Sequence, residues 1–263
     1  MAFVIIIAAV VLFIIILSRL MAWRFVKRCF YEGNVVVTGL RGRGKDVLFS
    51  LMVNSSKGKY ISNVDYTGDN RFIKFDVNDI SVGGNTFVNF LNGKLKPYKY
   101  PHDDGVDYFI SDAGVYFPAQ EFSKLNRIYP SLPIFQALSR HLGNCNFHCN
   151  VQNLNRLWDK IREQADSYLL CTKCNVRLHR FVSLTLYYYD KYQSCVDRVK
   201  PMKKRWGRLG KIEYDKFTAN YGTIKKLKIS GVLRHQFDSR RFKTLLEEGL
   251  VDESKQSDEG SAA

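Results

Sequence analysis

The segment NVVVTGLRGRGKDVLFS, residues 34–50, decides the fold. A β-branched run from Val35 to Thr38 leads into a glycine-rich turn, and an apolar segment with helical character, Val47 to Val53, follows. Strand, glycine loop and helix in this order are the context in which a G-x-x-x-x-G-K string forms a phosphate-binding loop (P-loop). Glycines allow successive backbone N–H groups to point at phosphate oxygens, and the helix N-terminus adds partial positive charge at the same place.

The whole loop is the candidate nucleotide site, and we expect the Lys45 ammonium to reach the β- and γ-phosphates. The alternative is an ordinary basic turn between a strand and a helix, because glycine and arginine are common in loops. The predicted nucleotide-binding residues are Gly39, Leu40, Arg41, Gly42, Arg43, Gly44, Lys45, Asp46 and Val47.

Composition favours a polyanionic partner. The chain has 263 residues, which suggests one or two domains, and its net charge of +15 favours nucleic acid or an anionic membrane face. Six scattered cysteines lack the density of a disulfide scaffold, and in the cytoplasm we expect them to be reduced thiols.

The N-terminus predicts a single membrane-spanning helix over residues 1–23. Ala2 to Leu17 carries no charge, and a membrane core needs about 20 helical residues, which the run supplies if Arg19 extends towards the headgroups. A cleaved signal peptide would have positive charge before the apolar run and small residues at its end, and a buried soluble helix is the other alternative. Because the basic cluster of residues 24–28 follows the span, we expect the N-terminus outside and the rest in the cytoplasm.

The remaining sequence predicts an α/β domain with a mainly parallel sheet, since segments with strand character alternate with helical ones. The predicted divisions are a juxtamembrane basic linker at 24–33, the P-loop ATPase-like domain at 34–195, a basic aromatic region at 196–246 and a disordered acidic tail at 247–263. The basic region, with KPMKKRWGRLGK at 200–211, suits single-stranded nucleic acid. A solvated basic surface, or one facing the anionic inner leaflet, is the alternative.

A hydrophobic strand, Val106 to Ile110, runs into Ser111 and Asp112. Nucleotide enzymes use an acid at this position to hold Mg²⁺ and orient water. Most hydrophobic strands that end in Asp are simply followed by a turn, so the signal depends on the P-loop upstream.

The order of the motifs resembles the Zot (zonula occludens toxin-like) family of filamentous phage assembly and export ATPases. After the P-loop come Asn63 on a strand, then SDAGVYFP at 111–118, SRHLG at 139–143, VQN at 151–153 and IREQAD at 161–166. The resemblance implies a membrane-anchored ATPase, with ATP and Mg²⁺ as cofactors, that drives phage single-stranded DNA through the host inner membrane. The implied partners are that membrane, the DNA or its DNA–protein complex, phage coat proteins and other copies of the chain in a ring.

Several catalytic roles follow from the resemblance and from the chemistry of oligomeric ATPases. The position of Gln152 implies a γ-phosphate sensor, with a strand-end residue that caps backbone as the alternative. Arg140, together with Arg156 and Arg162, is a candidate arginine finger for the neighbouring subunit, or else a surface salt-bridge partner.

Two residues depart from the family pattern. Asp46 stands where a P-loop has Ser or Thr, and Ser111 stands where the family has the first acid of an Asp-Glu pair. We hypothesise that the two positions are exchanged, so that Asp46 and Ser111 hold Mg²⁺ while Asp112 orients the attacking water. The alternatives are a degenerate P-loop in a non-hydrolysing membrane scaffold that recruits the DNA–protein complex, and a plasmid DNA-transfer motor.

Overall fold

The computed structural model describes residues 2–56, 58–75, 106–129, 132, 146–178, 180–198 and 219–233. Its α-helices are α1 Ala2–Glu32, α2 Lys45–Ser55, α3 Phe122–Ile128, α4 Asp159–Glu163 and α5 Tyr192–Val196. Its strands are β1 Val35–Thr38, β2 Lys59–Ser62, β3 Phe72–Lys74, β4 Val106–Ile110, β5 Phe147–Val151, β6 Ser167–Arg177, β7 Phe181–Tyr189 and β8 Ile224–Val232.

One eight-stranded sheet organises the domain in the order β3-β2-β4-β5-β1-β6-β7-β8. Across the sheet, the six neighbouring strands β3, β2, β4, β5, β1 and β6 pair in parallel. Strands β7 and β8 complete the sheet with antiparallel pairings. Every side chain of β1 is buried, which is why its sequence is a continuous β-branched run rather than an alternating one. The fold is α/β with a mainly parallel sheet, as predicted, and its P-loop follows a central strand, as in P-loop NTPases.

Two apolar clusters cover the two faces of the sheet. On one face, Leu48, Phe49 and Met52 of α2 pack against the centre of the sheet. On the other face, Trp158 and Phe117 are fully buried among residues of β4, β5 and β6. This packing fixes α2, and therefore the loop in front of it, against the carboxyl ends of the parallel strands.

Helix α1 is continuous through the segment predicted as a linker. Residues 24–32 form its last turns, and Val26 and Phe30 are buried in the same cluster as α2. The basic charges at 24–28 indicated a juxtamembrane basic linker, but apolar residues between them form a helical stripe that packs on the sheet. The large apolar side chains from Phe3 to Leu17 are exposed, and α1 is the one described helix long and apolar enough to span a membrane.

The sheet also extends past the predicted end of the ATPase-like domain at residue 195. Strand β8, in the region predicted as a separate basic segment, pairs with β7 along its whole length. Its buried Leu227 and Ile229 alternate with exposed Lys226 and Lys228, so the lysines had hidden a half-buried strand. The basic run at 200–211 and the tail at 247–263 lie outside the described residues.

A buried histidine ties β5 to the start of β1. His148 is fully buried between the rings of Phe30 and Phe109, and its Nδ1 accepts a hydrogen bond from the Val35 N–H at 3.3 Å. Its Nε2 has no partner among the described residues. Burial lowers the pKa of His148 to about 3, so the ring stays neutral in the folded protein.

We therefore expect stability to fall with pH below about 6.5, the ordinary pKa of histidine. Between that value and the lowered pKa, the unfolded chain binds a proton that the folded chain does not, at a cost of about 1.4 kcal/mol per pH unit. His148→Gln removes this titration, so urea unfolding of the full chain in detergent should show a weaker pH dependence than wild type. Equal pH dependence in both proteins would contradict the assignment.

Candidate nucleotide site

The P-loop joins β1 to α2 and depends on glycine at two positions for steric reasons. Gly39 has φ 149° and Gly44 has φ 86°, both in the region that disfavours a side chain. A Cβ on Gly39 would lie 2.5 Å from the Cys171 carbonyl oxygen, and one on Gly44 would lie 2.7 Å from Cys174 Cβ. The loop therefore packs directly on β6, with its backbone shaped by the absence of side chains.

Lys45 is the first residue of α2 and is buried beneath the loop. Its Nζ donates hydrogen bonds to the carbonyl oxygens of Gly39, at 3.1 Å, and Leu40, at 3.5 Å. The ammonium group is thus held at the centre of the turn by neutral acceptors, with no carboxylate paired to it among the described salt bridges. Of the other predicted binding residues, Leu40, Arg41, Gly42 and Arg43 are exposed, and Val47 is half-buried on α2.

The structure brings Asp46 and Ser111 into direct contact. The Oδ1 atom of Asp46 accepts hydrogen bonds from Ser111 Oγ at 2.5 Å, Asn150 Nδ2 at 2.7 Å and the Tyr66 hydroxyl at 3.2 Å. No described residue donates to Asp46 Oδ2. Burial and the Asp46 charge raise the pKa of Tyr66, which keeps its phenol a neutral donor. One carboxylate oxygen is therefore fixed by protein donors while the other remains open.

Asp112 follows Ser111 at the same edge of the sheet, with a left-handed backbone (φ 47°). Its backbone N–H donates to Asn150 Oδ1 at 2.9 Å. Burial, followed by the negative charge of Asp46, raises the pKa of the Asp112 carboxyl, while Lys45 and Arg41 act in the opposite direction. Raising the pKa makes this carboxylate a better proton acceptor than an exposed one.

Asn63 fixes the position of Ser111. Its Oδ1 accepts from the Ser111 N–H at 2.8 Å, and its Nδ2 donates to the Ser111 carbonyl at 2.9 Å. The amide therefore acts as a paired backbone clamp between the ends of β2 and β4, which the sequence could not show.

The sequence pointed to Gln152, whereas the structure places Asn150, two residues earlier and within β5, at the site. Asn150 is fully buried and contacts Asp46, Ser111 and Asp112, whereas Gln152 is exposed and makes none of the described hydrogen bonds to the site. The reason is that β5 ends at Val151, so Gln152 already lies beyond the sheet edge.

The candidate arginine fingers are not brought to the P-loop by the described part of the chain. Arg156 is exposed, and Arg162 donates to the Leu154 carbonyl and stacks 4.8 Å from the Tyr192 ring centroid. Arg140 lies outside the described residues.

The donor set at this edge fits a hard divalent cation. Mg²⁺ binds oxygen ligands, commonly one or two carboxylates with waters and substrate phosphates completing its shell. Asp46 Oδ2, the Ser111 hydroxyl and the Asp112 carboxylate are such oxygens, and they stand beside a loop shaped for phosphates. No cluster of three or more His, Cys, Asp or Glu side chains suited to a metal occurs within the described ranges, so phosphate and water oxygens would have to complete the set.

A cavity of about 270 Å³ adjoins the loop on the side of β6 and β7. It is lined by Leu40, Arg43, Leu170, Cys171, Thr172, Tyr187, Tyr189 and Arg198. Aromatic rings and arginines around a space of this size suit a flat heteroaromatic group linked to phosphate.

Asn150→Asp tests the network with a nearly isosteric change. It places a second carboxylate where Asn150 Nδ2 lies 2.7 Å from Asp46 Oδ1, so one of the two acids must take up a proton. We expect a lower thermal midpoint than wild type at pH 8 and a smaller loss at pH 5, measured by circular dichroism in detergent. The matched control is Asn155→Asp, at an exposed position whose Oδ1 accepts from Tyr192. Equal shifts for the two variants would contradict the network.

No family model matches this chain, and no curated protein matches it in sequence. Solved structures with a similar arrangement include the N-terminal domain of zonular occludens toxin from Neisseria meningitidis, at 12% identity over 81% of this chain and 98% of that chain, with a TM-score of 0.40.

A second similar structure is the genome packaging NTPase B204 from Sulfolobus turreted icosahedral virus 2. Its complex with AMPPCP aligns at 15% identity over 75% of this chain and 98% of that chain, with a TM-score of 0.43, and its complex with ATP-gammaS at 14% over the same shares, with a TM-score of 0.41. These are distant similarities, and the P-loop NTPase fold of this chain rests on its own strand order and loop geometry.

Proposed function

We propose that this protein is a membrane-anchored, Mg²⁺-dependent ATPase of the Zot type that drives filamentous phage single-stranded DNA through the host inner membrane during assembly. The observation that carries the proposal is the meeting of Lys45, Asp46, Ser111 and Asp112 at one edge of a parallel sheet. The two departures from the usual motif, Asp46 and Ser111, are direct hydrogen-bond partners, which supports the exchange of a hydroxyl and a carboxylate across one metal site.

The P-loop residues are proposed to bind the triphosphate. Backbone N–H groups from Gly39 to Gly44 and the N-terminus of α2 receive the phosphate oxygens, and Lys45 moves from the loop carbonyls to the β- and γ-phosphates. Asp46 and Ser111 would hold Mg²⁺, which would supply charge neutralisation for the phosphates. Asp112 orients the attacking water and accepts its proton, which its raised pKa favours.

The base of the nucleotide is proposed to lie in the 270 Å³ cavity beside the loop. Arg43 and Leu40 connect that cavity to the phosphate cradle, and Tyr187 offers an aromatic face.

The antiparallel end of the sheet is the proposed DNA contact. Lys173 and Lys228 both align with Thr185 of β7, and Lys226 aligns with Tyr187, so these groups share one face. All three lysines are exposed, and Lys226 Nζ lies 5.8 Å from the Tyr187 ring centroid. Exposed cations on one face of the sheet suit the phosphates of single-stranded DNA.

The proposed topology puts the N-terminus outside and the P-loop domain in the cytoplasm, with several copies in a ring. Helix α1 supplies the single span, and Arg140 of one copy serves the nucleotide of its neighbour. Phage coat proteins receive the DNA on the outer side.

The test is ATP turnover by the full chain in nanodiscs, with and without circular single-stranded DNA. We expect stimulation by single-stranded DNA that exceeds stimulation by duplex DNA. Lys226→Ala with Lys228→Ala should weaken this stimulation and its salt dependence while leaving basal turnover intact. The matched control is Lys59→Ala, because Lys59 is an exposed lysine on β2, in the half of the sheet away from β7 and β8. Turnover indifferent to DNA would contradict the export role.

A second candidate, a non-hydrolysing scaffold, is favoured by one observation. Lys45 Nζ is satisfied by loop carbonyls and Asp46 Oδ1 by three donors, so the site is stable without nucleotide. Nucleotide binding without turnover, under conditions where the ring is assembled, would support the scaffold.

A further inference from the structure

The far end of the β6–β7 hairpin is apolar and exposed, although it belongs to the folded domain. Val176, Leu178, Phe181 and Val232, here called the apolar tip, are exposed by 47%, 81%, 55% and 51%. Leu178 also has a left-handed backbone, with φ 49°, where apolar residues are uncommon. Packing within the domain therefore does not account for these side chains.

Helix α1 runs along β8 towards this same end. Phe25 packs on Tyr188 with ring centroids 4.9 Å apart and lies under Lys225, near the start of β8. Six residues closer to the N-terminus, Arg19 donates from Nη1 to Ser230 Oγ at 2.8 Å, near the end of β8. The helix therefore leaves the domain on the side of the apolar tip.

The tip reaches the level of the uncharged part of α1. Val232 pairs with Phe181, two residues beyond Ser230, which is roughly 7 Å further along the strand. The same distance along a helix is about four to five residues, which leads from Arg19 to the run that ends at Leu17. The apolar tip thus lies at the level of the uncharged part of α1, the only described helix long and apolar enough to span a membrane.

The charges around the tip fit an anionic lipid surface. Arg177 and Arg180 flank Leu178, both are exposed, and neither is in a salt bridge among the described residues. An apolar centre with a basic rim is the pattern of segments that sit in the headgroup region of an anionic leaflet.

We propose that the apolar tip inserts into the interfacial layer of the bilayer beside α1, as a second membrane contact of the domain. This inference rests on the membrane anchoring assigned to α1 under the proposed function.

Insertion of the apolar tip has a mechanical consequence. The P-loop strand ends at Thr38, which pairs with Leu170, and β6 continues for seven residues to Arg177, or roughly 23 Å. The hairpin therefore holds the carboxyl ends of the parallel strands, where the P-loop lies, at that distance from the lipid. The P-loop remains open to solvent.

Photo-crosslinking of the full chain in nanodiscs of mixed zwitterionic and anionic phospholipid tests the proposal. Benzoyl-phenylalanine is placed at position 178, with position 181 as a second, conservative site because Phe181 is already aromatic. Position 13, in the apolar run of α1, reports the anchor, and position 59, at the amino edge of the sheet, is the exposed control. Adducts with lipid are measured by mass spectrometry.

We expect lipid adducts at positions 13, 178 and 181 and a background yield at 59. Arg177→Gln with Arg180→Gln should lower the yield at 178 several-fold in anionic discs and leave position 13 unchanged. Adducts at 13 without adducts at 178 and 181 would overturn the docked tip and leave the anchor intact. Absence of adducts at position 13 would overturn the anchor and the tip together, and equal yields at 59 and 178 would show that the tip has no special contact.

Discussion

Asp46→Asn should keep the fold and lose Mg²⁺-dependent nucleotide binding by roughly 100-fold. The amide retains an oxygen that accepts from Ser111 and Tyr66, but it removes the charge that a divalent cation needs. Asp46→Ala should lose the same binding and also destabilise the protein, because it leaves buried donors on Ser111 and Asn150 unpaired. Titration calorimetry with a non-hydrolysable ATP analogue, with Mg²⁺ and with EDTA, measures the effect in the full chain.

A double variant that exchanges the residues at positions 46 and 111 is the main control. Asp46→Ser combined with Ser111→Asp restores the usual placement of hydroxyl and carboxylate, and we expect this double variant to keep Mg²⁺-dependent binding. Asp46→Ser alone should lose it, because the pair then has two hydroxyls and no carboxylate to hold the cation. A double variant whose spectrum shows a normal fold but which does not bind nucleotide with Mg²⁺ would contradict a shared metal site. That result would favour a purely structural role for Asp46.

Gly39→Ala should prevent the P-loop from forming and abolish nucleotide binding. The added Cβ would meet the Cys171 carbonyl oxygen at 2.5 Å, and that atom belongs to the backbone of a central strand, which cannot move aside cheaply. Gly42→Ala is the matched control. It has a positive φ of 73° but nothing within 4 Å of its Cβ, so it should cost only the conformational strain, about 1–2 kcal/mol.

Thermal unfolding and nucleotide affinity, measured side by side, separate the two glycines. A Gly39→Ala protein that binds nucleotide as well as Gly42→Ala would show that the loop does not rest on β6 as described. Loss of both binding and fold in Gly42→Ala would show that strain alone governs the loop.

The elements that carry the P-loop were predictable because local sequence determines them. β1, the glycine turn and α2 are contiguous, and a buried β-branched run before a G-x-x-x-x-G-K string leaves few other structures. The strand Val106–Ile110 was predicted with its exact bounds for the same reason, since it is apolar and closely followed by polar residues. Asp46 and Ser111 were paired in advance from the chemistry they share.

Long-range contacts were not predictable from local patterns. Asn150, Tyr66 and Asn63 reach the site from three different segments, and each looks ordinary in its own segment. Neither strand β8 nor the end of α1 was recognised in the sequence, because charged residues interrupt their apolar positions. In β8 apolar residues alternate with lysines, and at the end of α1 they are spaced between basic residues. In both segments the deciding factor was packing against the sheet, which only the tertiary structure reveals.

Mg²⁺-dependent ATP hydrolysis by the full chain in nanodiscs, measured beside Lys45→Ala, tests the central claim most directly. Lys45 is buried under the loop, where its Nζ donates to the Gly39 carbonyl, and we expect it to reach the β- and γ-phosphates of bound nucleotide. We predict turnover in the wild type that requires Mg²⁺, disappears in Lys45→Ala and rises with single-stranded DNA. Turnover that persists in Lys45→Ala, or a wild type that neither binds nor hydrolyses ATP, would contradict the account.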